Sequence, residues 1–221
     1  MVKIRWLGHS AFEISTSKIT VYVDPFLSDN PKAALKVDEI KKADFILVTH
    51  DHFDHMGDAV AIAKKTDATL VAVPEVASSI SENIKTVAPN IGAMVNLNSL
   101  KVAFVPAFHT SSKGAPVGVV FTVDGKTIYH AGDTGLFGDM KLIGEVYSPE
   151  VALLPVGGYY TMGPREAAIA VSLIKPKVAI PMHYGTFPVL EQTPEKFVEE
   201  VKKTAPTVKV VVLNPGESYE L

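Results

Sequence analysis

One segment constrains this chain more than any other: Thr49-His50-Asp51-His52-Phe53-Asp54-His55-Met56-Gly57. The run leading into it, Phe45–Thr49, is continuous and apolar and ends in β-branched residues, as a strand buried on both faces should. A helical pattern follows from Gly57 to Lys65, with Val60, Ile62 and Ala63 supplying an apolar stripe. His50 and His52 are two residues apart, so in an extended segment they point to the same side. Asp54 and His55 come next, where the chain turns into the helix. Four side chains able to bind a metal thus converge at the C-terminal end of a buried strand, where α/β sheets build their sites.

Cysteine is absent. That excludes disulfides, thiol catalysis and thiolate ligands, and leaves His, Asp and Glu as the ligands available. Three further residues sit at the ends of expected strands. His109 follows Val105-Pro106-Ala107-Phe108, Asp133 follows Ile128-Tyr129-His130-Ala131-Gly132, and His183 follows Ala179-Ile180-Pro181-Met182. A lone polar residue after a strand is ordinarily a loop residue. Three such placements beside a histidine-rich motif point to one shared metal site.

The remainder of the chain reads as strands and helices around these points. Lys3–Leu7, Ala11–Ser15 and Ile19–Val23 are short strands, and Asp24-Pro25 stops the third. Leu70–Val73 and a helix over Glu75–Lys85 repeat the strand–helix unit. Leu100–Val105, Val117–Val123 and Lys126–His130 read as antiparallel strands, with Asp124-Gly125 as a hairpin turn. Strands and helices then alternate: Val151–Pro155, Arg165–Ile174, Val178–Pro181, Pro194–Lys203 and Val208–Leu213, with a closing strand near Ser218–Glu220. Pro164, after Gly163, fits a helix start. The 221 residues suit one large domain or two small ones, and 47% hydrophobic residues suffice for a sizeable core. No low-complexity linker divides the chain, so residues 1–221 are expected to form a single α/β domain. The order suggests two similar halves, each a sheet covered by helices on one face, stacked as a four-layer αββα sandwich. A doubly wound sheet would need strand–helix alternation from the start, and neither GxGxxG nor a Walker A sequence is present.

The series His50-x-His52-x-Asp54-His55, His109, Gly132-Asp133-Thr134 and His183 resembles the five-motif signature of the metallo-β-lactamase superfamily, in order and spacing, along nearly the whole chain. The resemblance implies the αββα sandwich and a dinuclear site. His50, His52 and His109 would hold one metal, Asp54, His55 and His183 the other, and Asp133 would bridge the two. Trp6-Leu7-Gly8-His9-Ser10-Ala11 and Val23-Asp24-Pro25-Phe26 further resemble the branch that contains L-ascorbate-6-phosphate lactonase and a group of metal-dependent hydrolases. Gly158-Tyr159-Tyr160-Thr161-Met162-Gly163-Pro164 strengthens the second likeness. Where that branch leads one to expect an acidic or amide residue near Gly158–Tyr159, Gly-Tyr stands instead.

Imidazole and carboxylate ligands suit Zn²⁺ first, and also Mn²⁺, Fe²⁺ or Ni²⁺. Two such ions about 3.5–4 Å apart share a water and lower its pKa, which supplies a nucleophilic hydroxide near neutral pH without a protein nucleophile. Asp54 is the candidate catalytic residue, and His9, Tyr160 and Arg165 are the candidate substrate contacts. Each has an ordinary alternative: His9 reads equally as a solvated turn residue, and Thr161–Arg165 as the capped start of a surface helix rather than a seat for an anionic group. Asp24 is either a turn-former before Pro25 or a group orienting the ligand loop. His130 reads as a buried hydrogen-bonding residue behind the ligands.

The expected function is hydrolysis of a small ester or lactone, with or without a phosphate. Phosphodiester or nucleic-acid hydrolysis is one alternative, and a non-catalytic metal-binding or sensory role is another. A net charge of −3, with no run of like charges, does not indicate a nucleic-acid partner. Lys3 and Arg5 interrupt the apolar pattern of the N-terminus, so neither a secretory signal nor a membrane span is expected. A cytoplasmic homo-oligomer acting on a small molecule follows as the expectation, and antibiotic hydrolysis does not. Lysine far outnumbers arginine, represented by Arg5 and Arg165, and Gln192 is the only glutamine, a composition that hints at a thermophilic source.

Overall fold

The computed structural model describes residues 1–221. Alternation of buried and half-exposed residues sets the first three strands, β1 (Lys3–Gly8), β2 (Ala11–Ser15) and β3 (Thr20–Val23), which pair as an antiparallel meander. β4 (Phe45–Leu47), β5 (Thr69–Val71) and β6 (Thr86–Val87) then add in parallel. The second sheet repeats the plan. β7 (Met94–Leu97), β8 (Leu100–Pro106), β9 (Val117–Val123) and β10 (Lys126–His130) are antiparallel. The strands β11 (Val151–Pro155), β12 (Val178–Met182) and β13 (Lys209–Val210) follow in parallel. Every residue of β11 and β12 is buried, as parallel strands covered on both faces require. The last strand, β14 (Ser218–Glu220), returns to the first sheet and pairs with β1, Ile4 opposite Tyr219.

The two seven-stranded sheets share one hydrophobic core. Phe12 of β2 meets His130 of β10 edge-on at 5.8 Å between ring centres, so the sheets lie face to face. Helices α1 (Phe53–Met56), α2 (Ala59–Thr66) and α3 (Pro74–Ser78) belong to the first half, and α4 (Met140–Tyr147), α5 (Pro164–Ile174) and α6 (Glu195–Thr204) to the second. α2 packs on β4 and β5, and α5 on β11, between α4 and α6. This is the expected αββα sandwich. No helix is long and apolar enough to cross a membrane.

Several elements differ from expectation. The two-residue β6 was not expected, and the strand expected over Val208–Leu213 forms only at Lys209–Val210. The helix expected over Glu75–Lys85 stops at Ser78, because Ser78 and Ser79 turn their hydroxyls back onto the carbonyls of Glu75 and Val76. Ile80 and Ile84 still pack on the core, from irregular backbone. The helix expected from Gly57 begins at Ala59, and one separate turn, α1, carries Asp54 and His55. The edge strand β7 was not expected: its residues alternate between exposed and half-buried, too weak a signal to read as a strand.

Candidate metal centre

The loops leaving β4, β8, β10 and β12 all open on one end of the sandwich. There they bring together His50 to His55, His109, Asp133 and His183, with the β1–β2 turn supplying His9. His50, His52 and His109 form one group of nitrogens, and His9, Asp54, His55 and His183 form a second, the donor atoms of each lying within 4.8 Å of one another. In the first, His50 Nε2 is 3.0 Å and His109 Nε2 3.3 Å from His52 Nδ1. Asp133 stands between the groups. Its Oδ2 is 3.1 Å from His183 Nε2 and 3.6 Å from His109 Nε2, and its Oδ1 is 3.1 Å from His55 Nε2.

The local backbone explains this convergence. Gly132, at φ 61°, turns the chain so sharply that a Cβ there would run into the carbonyl of Val117 and the side chain of Thr49. Asp133 can therefore follow a buried strand directly and still reach the histidines. Asp51, the residue between His50 and His52, accepts hydrogen bonds from Ser111 Oγ and the Ser112 amide, both at 2.9 Å. It clamps the β8–β9 loop, and with it His109, against the first motif. Thr134 Oγ1 accepts from the Phe108 amide at 3.0 Å and ties that loop to Asp133.

Behind the ligands lies a set of buried supports. Asp24 accepts from the Thr49 amide at 2.8 Å, from Thr49 Oγ1 at 2.7 Å and from His55 Nδ1 at 2.7 Å. Since Thr49 donates its hydroxyl proton to Asp24, its oxygen accepts from His50 Nδ1, 3.0 Å away. Both histidines thus keep a proton on Nδ1 and turn Nε2 towards the centre. Asp24 is therefore the orienting group rather than only a turn-former. His130 accepts from the Gly132 amide on Nδ1 and donates from Nε2 to the Ser10 carbonyl at 2.9 Å, taking no part in the donor cluster.

His9 is fully buried, not a solvated turn residue, and not a wall of the cavity. Its Nε2 donates to Asp54 Oδ2 at 3.0 Å, its Nδ1 accepts from Thr186 Oγ1 at 3.0 Å, and its ring packs on that of His183 with centres 4.0 Å apart. The His9 carbonyl accepts from both Trp6 Nε1 and the His183 amide, pinning the β1–β2 turn to the loop after β12. Arg165 is exposed on the first turn of α5 and is likewise no part of the cavity wall, whereas Tyr160 is. Asp51, Thr49, Thr134 and Thr186 carried no local signal in the sequence, because each is defined by a partner distant along the chain.

Electrostatics match a cation site. Burial holds His50 at a pKa of about 3, with His55 adding to the effect, so His50 is neutral at pH 7 and able to act as a ligand. Burial and His183 hold His9 at about 4. Burial alone would raise the pKa of Asp54, but the hydrogen bond from His9 and the neighbouring His55 outweigh it and hold the carboxyl down. Burial likewise opposes ionisation of Asp133, yet His183 and His55 keep its pKa well below the ordinary range. For His55, burial is overcome by the carboxylates of Asp133 and Asp24, and its pKa is raised. His55 Nε2, Asp133 Oδ1 and both nitrogens of His183 are buried without an aligned hydrogen-bond partner. Buried polar atoms are rarely left so, and several converging at one point fit a bound cation. The donor set suits a borderline divalent ion.

The cluster forms the floor of a cavity of about 560 Å³, walled by Phe53, Thr110, Tyr160, Phe187, Pro188 and Val189. An αββα sandwich with this imidazole–carboxylate floor defines the class, a metal-dependent hydrolase of metallo-β-lactamase fold. The beta-lactamase superfamily domain matches residues 3–183. A UPF0173 metal-dependent hydrolase of Methanopyrus kandleri is 53% identical over 232 residues, covering 99% of this chain and 100% of the relative. Another, from Caldivirga maquilingensis, is 51% identical over 222 residues, covering 99% and 97%. Among solved structures, Igni18, a metallo hydrolase from the hyperthermophilic archaeon Ignicoccus hospitalis, superposes with a TM-score of 0.93 at 39% identity, covering 100% of this chain and 99% of that one. The chain belongs to the UPF0173 metal-dependent hydrolases of the metallo-β-lactamase superfamily.

Proposed function

We propose that the protein is a dinuclear hydrolase that cleaves a small, uncharged ester or lactone. The observation that carries this reading is the Asp133 carboxylate lying between two groups of imidazoles at the floor of the cavity. His50, His52 and His109 would hold one ion, and Asp54, His55 and His183 the other, with Asp133 common to both. When bound, a pair of divalent ions activates water and polarises the scissile group, Zn²⁺ being the ion that best suits these donors.

The chain's own groups do the rest. Asp54 lines the cavity, and His9 keeps its carboxylate ionised, so it can only accept hydrogen bonds. It therefore orients a water by taking one of that water's hydrogens. Asp24 and Thr49 fix the tautomers of His55 and His50. No lysine or arginine is among the cavity's lining residues, and Arg165 lies outside it. A phosphate group held away from the ions would find no protein counter-charge there, so the lining favours an uncharged substrate over a phosphorylated one.

Elemental analysis of protein purified without chelator, joined to assays on lactones, esters and bis-p-nitrophenyl phosphate, tests the reading. About two divalent ions per chain are expected, falling sharply in Asp133→Ala, with turnover of lactones or esters. Full metal occupancy in Asp133→Ala overturns the shared-carboxylate assignment. Turnover of the phosphodiester alone overturns the substrate class.

A further inference from the structure

The exposed large apolar side chains of this protein are not scattered evenly. Phe53, Tyr160 and Val189 are each more than half exposed and line the cavity, and Phe108 and Tyr159, equally exposed, adjoin His109 and Tyr160 in the chain. Three of the protein's ten large exposed apolar side chains therefore line one opening, and two more neighbour lining residues in the chain. Single exposed apolar residues need no explanation, but a contiguous group around a concave site does. The group is also ordered. Phe53 packs edge-on against Phe26 at 5.7 Å and lies 6.3 Å from Phe187, which in turn meets His9 at 5.3 Å. Phe108 packs on Phe137 at 5.0 Å.

The cavity thus has two poles. Carboxylates and imidazoles occupy the floor, and Phe53, Phe187, Pro188 and Val189 form an apolar wall leading outward, with no fixed cation between. Resting on the reading of the site as an ester or lactone hydrolase, we infer that the substrate carries an uncharged hydrocarbon arm, alkyl or aryl. The scissile carbonyl sits at the floor and the arm lies along the wall formed by Phe53, Phe187 and Val189. The floor supplies a strong field but no shape selection. The wall supplies selection by contact area, and an anionic arm would leave water for a surface that offers it no partner.

Two measurements on the metal-loaded protein test this separately from the parent reading. The first is calorimetric titration with methyl ketones of increasing chain length, neutral carbonyl compounds that cannot be hydrolysed. Affinity should tighten roughly 2–4-fold per methylene over the first several carbons, with a negative heat-capacity change. A terminal carboxylate on the same arm should abolish that gain. The second is kcat/KM across p-nitrophenyl esters from acetate to hexanoate, which should rise with the same slope. Val189→Ser, an exposed substitution that leaves the core untouched, should flatten both slopes. Ketone affinity that does not change with length overturns the inference, even if short esters turn over well. Length-dependent ketone binding without hydrolysis of any ester or lactone sustains the apolar subsite and overturns the ester reading instead.

Discussion

Asp24 offers the sharpest perturbation, because its carboxylate has two separable duties. It satisfies the Thr49 amide, and it holds the proton of His55 on Nδ1. Asp24→Ala removes the acceptor of three buried hydrogen bonds and strands an amide and an imidazole N–H. Breaking a buried charged pair on one side costs about 3–5 kcal/mol. For a chain of this length that is a fall in melting temperature of roughly 6–20 °C. Asp24→Asn is milder and more telling. Asn tolerates the left-handed backbone that Asp24 adopts at φ 45°, and its oxygen can still accept from the Thr49 amide. Its NH₂ group, however, can only donate to His55 Nδ1, which moves the imidazole proton to Nε2, the nitrogen that faces Asp133. The Asn variant should lose only about 1–2 kcal/mol in urea unfolding of the metal-free protein. Its metal affinity should nevertheless fall by about 10–100-fold in chelator competition. A variant that keeps wild-type metal affinity, or one in which affinity falls only in proportion to stability, refutes the assignment of Asp24 as the group that sets the His55 tautomer.

Three further outcomes are expected. Gly157→Ala places a methyl group against the carbonyl of His183, a backbone atom that cannot step aside, so the urea midpoint should fall by the equivalent of about 1–3 kcal/mol; an unchanged midpoint would show that the β11 and β12 loops yield freely. Metal-free protein should lose stability as pH falls below 6.5, since the unfolded chain takes up protons on His9 and His50 that the folded chain refuses until about pH 4 and pH 3. At pH 5 the two together subtract up to about 4 kcal/mol, while His55, whose pKa is raised, has already given its full contribution below 6.5; a melting temperature that is flat or rising on acidification contradicts this. His9→Asn, tolerated by the φ of 55° at that position, removes the hydrogen bond to Asp54, and metal content should drop from about two ions to about one; elemental analysis showing no change would detach His9 from the centre.

What could be read from the sequence depended on how local each signal was. β11 and β12 were legible because a strand buried on both faces is written as an unbroken apolar run. β7 was not, because half of it faces water. The apolar spacing of Val76, Ile80 and Ile84 truly marks burial, but competition from the Ser78 and Ser79 hydroxyls, rather than periodicity, decided the backbone there. At the site, His50 to His55 announced themselves within six residues, and His109, Asp133 and His183 by standing at strand ends. The partners that set their tautomers and positions could not be read in the same way. Thr186 reaches His9 across 177 residues, and Ser111 meets Asp51 across 60, pairings that exist only once the two halves are stacked. The apolar wall was invisible for the same reason: Phe53 and Phe187 are ordinary residues until the fold sets them on one opening.

The return of β14 to the edge of β1 gives synthesis of this chain an unusual order. All the strands of the second sheet are made before the first sheet is finished, since Val2 and Leu221 exchange backbone hydrogen bonds only once Leu221 has been made. Until then the outer edge of β1 presents unpaired amides and carbonyls beside a buried apolar face, a template for pairing with any neighbouring chain. Completion of the first sheet thus waits until Ser218–Glu220 have been made. A chain stalled or clipped before Ser218 should fail by aggregation more than by loss of the metal-binding loops, which lie at the far ends of other strands.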